Sequence, residues 1–348
     1  MRERIPVGIL GATGVVGQHL VARLAAHPWF EVVWLAASAR SEGWRYGELP
    51  WRLPAPMPER TAALRVGPLD PATAPDLVFS ALDASAADEA EPRFARAGRV
   101  VISNARSHRM DPLVPLIVPE VNADHLALLE RQRAARGWSG GIVTNPNCAA
   151  VLVALVIAAL RQFGIEQVAV TTLQALSGAG YPGVAALDAL GNVIPFIDGE
   201  EDKIERETRK LLGTLDDTGV VDAPFTVSAQ STRVPVEHGH MALISVALAD
   251  RPALADVRAA LDAFGARAAA LPGGVAPLVY IDDPHRPQPK LDVARGGGMT
   301  VSVGRLRACP LLGYKLVALG HNVVRGAAGA AILNAELVVS VGRVLASA

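Results

Sequence analysis

The chain has 348 residues, enough for two domains and a sizeable core, and it is 51% hydrophobic but only 5% aromatic, so the core must be built mainly from Ala, Val and Leu. Its 33 basic and 34 acidic residues leave a net charge of −1 with no basic tract, which argues against nucleic acid or an anionic membrane as the main partner. The longest uninterrupted apolar run, Ala149 to Leu160, is 12 residues, against about 20 for a bilayer span.

The N-terminus, "MRERIPVGILGATG", enters a strand without a signal peptide's apolar stretch, so a reducing cytoplasm is the expected compartment. The two cysteines, Cys148 and Cys309, make no disulfide framework, and no Cys/His spacing resembles a zinc site. Both thiols are expected to be free, and no metal is expected.

"VGILGATGVVGQHLVARLAAH" reads as a short strand, a glycine turn and a helix with apolar positions three and four apart. "FEVVWLAAS", "DLVFSAL" and "RVVISNA" read as further buried strands, with helical "AADEAEPRFARAG" between the last two. This alternation implies a parallel sheet with helices on its faces, an N-terminal Rossmann-like dinucleotide-binding domain. Residues 49–60, "LPWRLPAPMPER", carry four prolines and must be loop or edge. In the turn, Gly11, Gly14 and Gly17 let the backbone approach a pyrophosphate seated on the helix N-terminus, with Ala12, Thr13, Val15 and Val16 as the neighbouring contacts. The second strand ends in Ser38, Arg40 and Ser41 instead of the acid that grips ribose hydroxyls. A hydroxyl and a guanidinium suit a 2′-phosphate, so the expected cofactor is NADP.

"TNPNCAAVLVALVIAAL" (144–160) places Cys148 between an Asn-Pro-Asn turn and an apolar helix. Unpaired amides and the helix dipole at such a mouth are expected to stabilise a thiolate, which makes Cys148 the candidate nucleophile. Cys309, in "RLRACPLLG", has no acid–base partner nearby and reads as structural.

After Cys148 the pattern changes. Residues 167–180, 224–248 and 298–308 are Val- and Thr-rich strands without a βαβ rhythm, which predicts a second α+β domain with a mostly antiparallel sheet. "EEDKIERETRKLLGTL" (200–215) predicts a charged, exposed helix, and "NVVRGAAGAAILNAELVVSVGRVL" (322–345) a long small-residue helix that packs back on the first domain. The expected boundaries are 1–147, joined by 321–348, for the NADP-binding domain and 148–320 for the catalytic and dimerisation domain. A thiolate nucleophile needs a proton shuttle, and "RVPVEHGH" groups Arg233, His238 and His240 in one strand-like segment, with the two histidines two residues apart. Spacing alone does not choose between the two histidines.

"GATGVVGQ", "SNARSHRM", "VPLIVPEVN", "NPNC", "SGAGYPG", "EEDKIERET", "RVPVEHGH" and "GHNVVRGAAGAAILNAE" occur in the order found in aspartate-β-semialdehyde dehydrogenases, and the chain resembles the archaeal and fungal branch over nearly its whole length. Two positions depart from the pattern: "NPNCAA" lacks a hydroxyl residue after the cysteine, and "VEHGHM" fills the histidine motif unusually.

The resemblance implies Cys148 as acyl-accepting nucleophile, His240 as general acid–base and Gln174 as the residue that orients the thioester, with His238 a filler. It further implies that Arg233 holds the substrate carboxylate, Glu200 the ammonium, with Glu201 as its rival, and that Arg109 and Lys203, helped by Asn147, hold the phosphate. Ser177, Gly178 and Asn322 fall to the cofactor. The implied reaction is NADPH-dependent reductive dephosphorylation of L-aspartyl-4-phosphate to the semialdehyde, in lysine, threonine and methionine biosynthesis, by a homodimer or homotetramer. The rival readings are an N-acetyl-glutamyl-phosphate reductase, a malonyl-CoA-type acyl-CoA reductase and a non-catalytic NADP-binding paralogue.

Overall fold

The computed structural model describes residues 4–267 and 270–342. The ends of the predicted last helix and of the 321–348 segment therefore lie outside the described residues. Six strands, β1 (Ile5–Leu10), β2 (Phe30–Ala36), β3 (Val66–Gly67), β4 (Leu77–Ser80), β5 (Val100–Ser103) and β6 (Gly141–Thr144), form one sheet in the order β3-β2-β1-β4-β5-β6. Every pairing in it is parallel. Helices α1 (Val15–Leu24), α2 (Glu59–Ala62), α3 (Ala84–Arg96), α4 (Pro119–Asn122) and α5 (Leu128–Arg136) lie along the connections. Strands such as LVFS and GIVT are buried at every position, which is why they read as continuous apolar runs. The strand order reverses between β1 and β4, and an open parallel sheet makes its ligand crevice outside the carboxyl ends of the strands at that switch. The glycine turn leaves β1 there, the SNARSHRM segment leaves β5, and the NPNC turn leaves β6.

The second sheet is built from β7 (Ile165–Gln174), β10 (Thr226–Arg233), β11 (His240–Leu248), β12 (Leu278–Ile281), β13 (Val301–Cys309) and β14 (Gly313–Gly320), while β8 (Thr214–Leu215) and β9 (Val220–Val221) make a small hairpin apart. Its order is β10-β7-β11-β14-β13-β12, with the three inner pairings antiparallel and the two outer ones parallel. Helix α6 (Ala150–Leu160), with ten of eleven residues buried, is apolar all round and forms the centre of this core. Around it pack α8 (Glu200–Leu211), α9 (Leu254–Gly265) and one face of the sheet, while α7 (Ala186–Ala189) and α10 (Pro289–Asp292) lie in connecting segments.

Three expectations need correction. Helix α8 is not an exposed charged rod: Ile204 and Leu211 anchor a face that also buries Glu200, Glu207, Thr208 and Lys210. Arg233 and His240 do not share a strand. β10 ends at Arg233, the chain crosses six residues including Gly239 at φ +104, and β11 begins at His240. Nor is the C-terminal segment helical from Asn322. It opens with a π-helical turn, Val324–Ala328, and continues as α11 (Gly329–Ser340). Its Ala331, Ile332, Ala335 and Val338 join the core of the first sheet, as the small-residue pattern predicts.

Candidate active site

The glycine turn is shaped by sterics at two of its three positions. Gly11 sits at φ +73, and a Cβ on Gly17 would lie 2.4 Å from the Gly11 carbonyl oxygen. Gly14, at the helix N-cap, has ordinary dihedrals and open space around it, the condition for close approach of a phosphate to the α1 amides. At the end of β2, Ser38 and Arg40 are exposed, Ser41 is half-buried, and Arg40 has no hydrogen bond or ion pair among the described residues.

A cleft of about 490 Å³ opens between the two sheets, a size suited to small ligands. It gathers Val15 and Val16 from α1, Ser177, Gly178 and Asn322, and also Arg109, Asn147, Cys148, Gln174, Glu200, Lys203 and Arg233. Gly11, Ala12, Thr13, Gly14, Ser38, Arg40 and Ser41 are not among the residues that line this cleft, and Ala12 is buried in the core of the first sheet.

Cys148 is half-buried at the cleft floor, just ahead of α6. The asparagines of NPNC each have a task. Asn145 Nδ2 donates to Asn104 Oδ1 at 2.8 Å and to the Ala327 carbonyl at 3.2 Å, which ties the turn to the β5 loop and the C-terminal segment. Asn147 Oδ1 accepts from the N–H groups of Ala149 and Ala150 at 2.9 and 3.0 Å, and so caps the helix. The expected thiolate stabilisation by free amides therefore fails, because Asn147 has taken them. Enclosure pushes the Cys148 thiol up to about 12, Glu200 adds to that, and Arg109, Lys203 and Arg233 act against it.

Glu200 is the hub of the polar residues. Its Oε1 accepts from Asn147 Nδ2 at 2.7 Å and Gln174 Nε2 at 3.0 Å, and its Oε2 pairs with Lys203 Nζ at 2.6 Å. Burial opposes its charge, but Lys203, Asn147 and Gln174 outweigh that and hold its carboxyl below the usual range. The rival Glu201 points elsewhere and accepts from the Ser231 N–H on β10 at 2.9 Å. Arg233 donates Nη1 to the Ala175 carbonyl at 2.8 Å.

His240 is fully buried, and the Ala175 N–H donates to its Nδ1 at 3.1 Å. The ring proton is thus on Nε2, which has no partner among the described residues. Burial lowers this histidine to about 3, so it is a neutral imidazole. Its Nε2 and Arg233 Nη1 both crowd Gly178, where a Cβ would come within 3.0 and 2.8 Å of them. His238 has more than a filler's place: its Nδ1 meets Ser177 Oγ at 2.9 Å, and that hydroxyl accepts from Asn322 Nδ2 at 2.8 Å. Cys309 lies at the end of β13 and lines a different cavity, 3.9 Å from Ser245 Oγ.

Several residues without an expected role hold this arrangement. Glu207 Oε1 accepts from Arg109 Nη1 at 3.0 Å, and its Oε2 accepts the Asn147 N–H, so one carboxylate joins a cleft cation to the NPNC turn. Lys210 Nζ donates to the carbonyls of Arg109, Asp111 and Val114 at 2.6, 2.8 and 3.1 Å. Glu200, Lys203, Glu207 and Lys210 recur at three- and four-residue spacing with Ile204 and Leu211, a helix-face signal present in the sequence. Arg325 makes a bidentate pair with Glu120 of the VPEVN motif at 2.7 and 2.9 Å, both nearly inaccessible. It thereby fixes the turn in which Gly326 presses on Cys148.

Two family models match the chain, "Semialdehyde dehydrogenase, NAD binding domain" over residues 6–129 and "Semialdehyde dehydrogenase, dimerisation domain" over residues 157–325. Aspartate-semialdehyde dehydrogenase of Archaeoglobus fulgidus is 46% identical over 97% of this chain and 98% of its own length. The Cryptococcus neoformans protein of that name is 46% identical over 98% of both. Among solved structures, aspartate semialdehyde dehydrogenase with NADP from Candida albicans matches with a TM-score of 0.88 at 39% identity, covering 97% of this chain and 99% of that one. Aspartate semialdehyde dehydrogenase II complexed with ASA from Vibrio cholerae matches with a TM-score of 0.78 at 26% identity over the same shares.

Proposed function

The chain belongs to the aspartate-semialdehyde dehydrogenase family, and on that premise we propose that Cys148 is the residue on which its acyl group is carried. The reaction is reversible conversion of L-aspartyl-4-phosphate to L-aspartate-4-semialdehyde, with NADP as cofactor. The observation that carries the assignment is one cleft in which Cys148 meets three cations and a hydrogen-bonded glutamate, with a neutral buried histidine, His240, packed behind Gly178 of its wall.

Two features fit the cofactor: a glycine turn in which Gly11 and Gly17 have no room for a side chain while Gly14 leaves the helix N-terminus open, and a second strand that ends in hydroxyls and an unpaired Arg40 instead of an acid. Gly11 to Val16 with Ser177, Gly178 and Asn322 hold the dinucleotide, and Ser38, Arg40 and Ser41 receive its 2′-phosphate. When bound, it supplies or accepts the hydride.

Arg233 offers its unused N–H groups to the substrate carboxylate as a fork, and Glu200 receives the ammonium. Arg109 and Lys203, with Asn147, hold the phosphate beside Cys148. The Cys148 sulfur attacks the acyl carbon, the carbon–oxygen bond to phosphate breaks, and the thiol proton leaves on the departing hydrogen phosphate. Gln174 orients the thioester. Once the carbonyl carbon has been reduced, the oxygen carries negative charge, and we assign its stabilisation to His240 Nε2–H, a donor without a partner among the described residues, beside Gly178 of the cleft wall. Collapse of that alkoxide releases the aldehyde and returns the sulfur. The tautomer fixed by Ala175 makes His240 a donor in this step and not a base toward Cys148.

The domain boundaries we assign are 1–147 with the segment from 321, and 148–320. No helix among the described residues is long and apolar enough to cross a membrane, and the proposed compartment is the cytoplasm. A second copy of the chain is the proposed cover for the segment that carries Leu187, Leu190 and Phe196, 89%, 74% and 64% exposed.

The test is mass spectrometry of enzyme given aspartate semialdehyde and NADP without phosphate. An acyl adduct on Cys148 that inorganic phosphate discharges supports the reading. A Cys148→Ser variant that still turns over would sink it.

A further inference from the structure

Helix α3 carries Glu91 into the interior directly beneath the segment that ends in Arg109. The carboxylate is fully buried. Ser103 Oγ donates to its Oε1 at 2.6 Å, while its Oε2 has no hydrogen-bond partner among the described residues and lies 3.7 Å from His108 Nε2. His108 Nε2 and Arg109 Nε are likewise buried without partners. Within the segment Ser103 Oγ accepts the Ala105 N–H at 3.1 Å, and Ser107 Oγ pins it to α3 by donating to the Ala84 carbonyl at 2.6 Å. On its other side, Arg109 is held by Glu207 and by the Asn104 carbonyl.

A buried carboxylate with one bare oxygen is costly unless it has a task there, since such groups are nearly always satisfied. We propose that Glu91 is a positioning residue for the phosphate site: through Ser103 and His108 it fixes the 103–109 segment, and its charge sets how strongly Arg109 draws the phosphate. This rests on the reading of Arg109 as a phosphate contact.

The groups that face Glu91 are Asp88 on its own helix, Ser80 from β4, Ser103 from β5, and His108 and Arg109 from the segment; Asp111 and Arg136 act on His108. Burial pushes the Glu91 carboxyl up to about 7, against Ser103, Ser80 and Arg109 and with Asp88, so its charge changes in the neutral range. Burial lowers His108, whose ring meets the Ala87 backbone on its other side. One proton on Glu91 Oε2 therefore offers His108 Nε2 the donor it lacks. Loss of that proton puts an anion behind Arg109 that competes with phosphate.

The experiment measures the KM for inorganic phosphate in the phosphorylating direction from pH 6.0 to 8.5, in the wild type, Glu91→Gln and Arg109→Leu. Glutamine mimics the protonated acid, and phosphate's own ionisation is common to both proteins, so the ratio of wild-type to Glu91→Gln KM isolates the charge on Glu91. The ratio should be near one at low pH and rise to roughly 3–10-fold at high pH, with its midpoint near neutrality and the KM for NADP unmoved. A flat ratio, with Arg109→Leu still raising the phosphate KM, overturns the inference alone. No change in Arg109→Leu overturns the phosphate reading and the inference with it. Should Glu91→Gln fail to fold, the ratio of wild-type to Ser103→Ala phosphate KM serves instead: loss of the hydrogen bond that favours the ionised acid keeps Glu91 protonated to higher pH, so this ratio should rise above one near neutrality, and a ratio of one throughout refutes the proposal.

Discussion

Gly326 offers the most direct measure of how closely Cys148, the proposed nucleophile, must be held. A Cβ built on it lies 2.4 Å from Cys148 Cβ, 2.9 Å from Cys148 Cα and 3.5 Å from the Cys148 carbonyl oxygen. Ordinary carbon–carbon contact is about 3.5–4.0 Å, so Gly326→Ala must open more than an ångström between two backbones. Neither can yield easily. Arg325 anchors one side through its pair with Glu120, and the Asn147 cap anchors the other. Overpacking of this kind costs about 1–3 kcal/mol, and a shift of the reacting sulfur by about 1 Å is worth roughly 100-fold in rate. Gly326→Ala should therefore lower kcat by about two orders of magnitude while the KM for NADP changes little. Steady-state kinetics, checked by the rate at which iodoacetamide modifies Cys148, reads this. Wild-type kcat in a folded Gly326→Ala protein would show that the sulfur is not positioned by this contact.

Removing one partner of the Arg325–Glu120 pair leaves the other charged and buried, so Arg325→Met should cost about 3–5 kcal/mol in urea unfolding, and a loss under 1 kcal/mol would refute that accounting. Acid should also destabilise the protein from about pH 6.5 downward. Burial lowers His19 to about 4 and His240 and His321 to about 3, with His238 acting further on His19 and His321, so the folded state keeps all three neutral where the unfolded chain protonates them. Their contribution is complete above pH 6.5 and is lost as pH falls toward 4 to 3. Glu91, raised to about 7, works in the opposite direction over the same range. The melting temperature should therefore fall between pH 6.5 and 5, and one flat across that interval would contradict this.

How far the sequence carried depended on the range of the interaction. The glycine turn and the strand–helix alternation are local signals, and they located the dinucleotide fold and its crevice without pairing information. The nucleophile turn was equally visible, but its electrostatics were not. Whether the α6 amides are free depends on where Asn147 points its side chain, and spacing does not say. The supporting carboxylates were missed for a different reason. Glu207 meets Arg109 98 positions away and Glu120 meets Arg325 205 positions away, and no window of sequence joins such pairs. Helix α8 was misjudged because four charged residues on one stripe look like a wet face until partners on other elements are known. Similarly, the short RVPVEHGH segment reads as a single strand, but Gly239, at positive φ, lies in the crossing between β10 and β11.

The donor count in the cleft ties these residues into one device. Of five guanidinium N–H groups, Arg233 commits one to Ala175, so it can still present a fork to a carboxylate. Arg109 commits two, to Glu207 and Asn104, and on its proposed role offers others to phosphate oxygens. Glu200 is different, since both of its oxygens are already engaged by Asn147, Gln174 and Lys203. On the proposed roles, an ammonium reaches Glu200 most readily by displacing the Lys203 ammonium, the only charged donor among the three. Lys203 then loses its carboxylate and gains an anion, the phosphate at the other end of the same substrate. A molecule with an amine at one end and a phosphate at the other satisfies both exchanges, while free phosphate or a simple amine satisfies one. The Glu200–Lys203 pair, an ordinary i,i+3 contact by spacing, thereby makes recognition of the two ends interdependent.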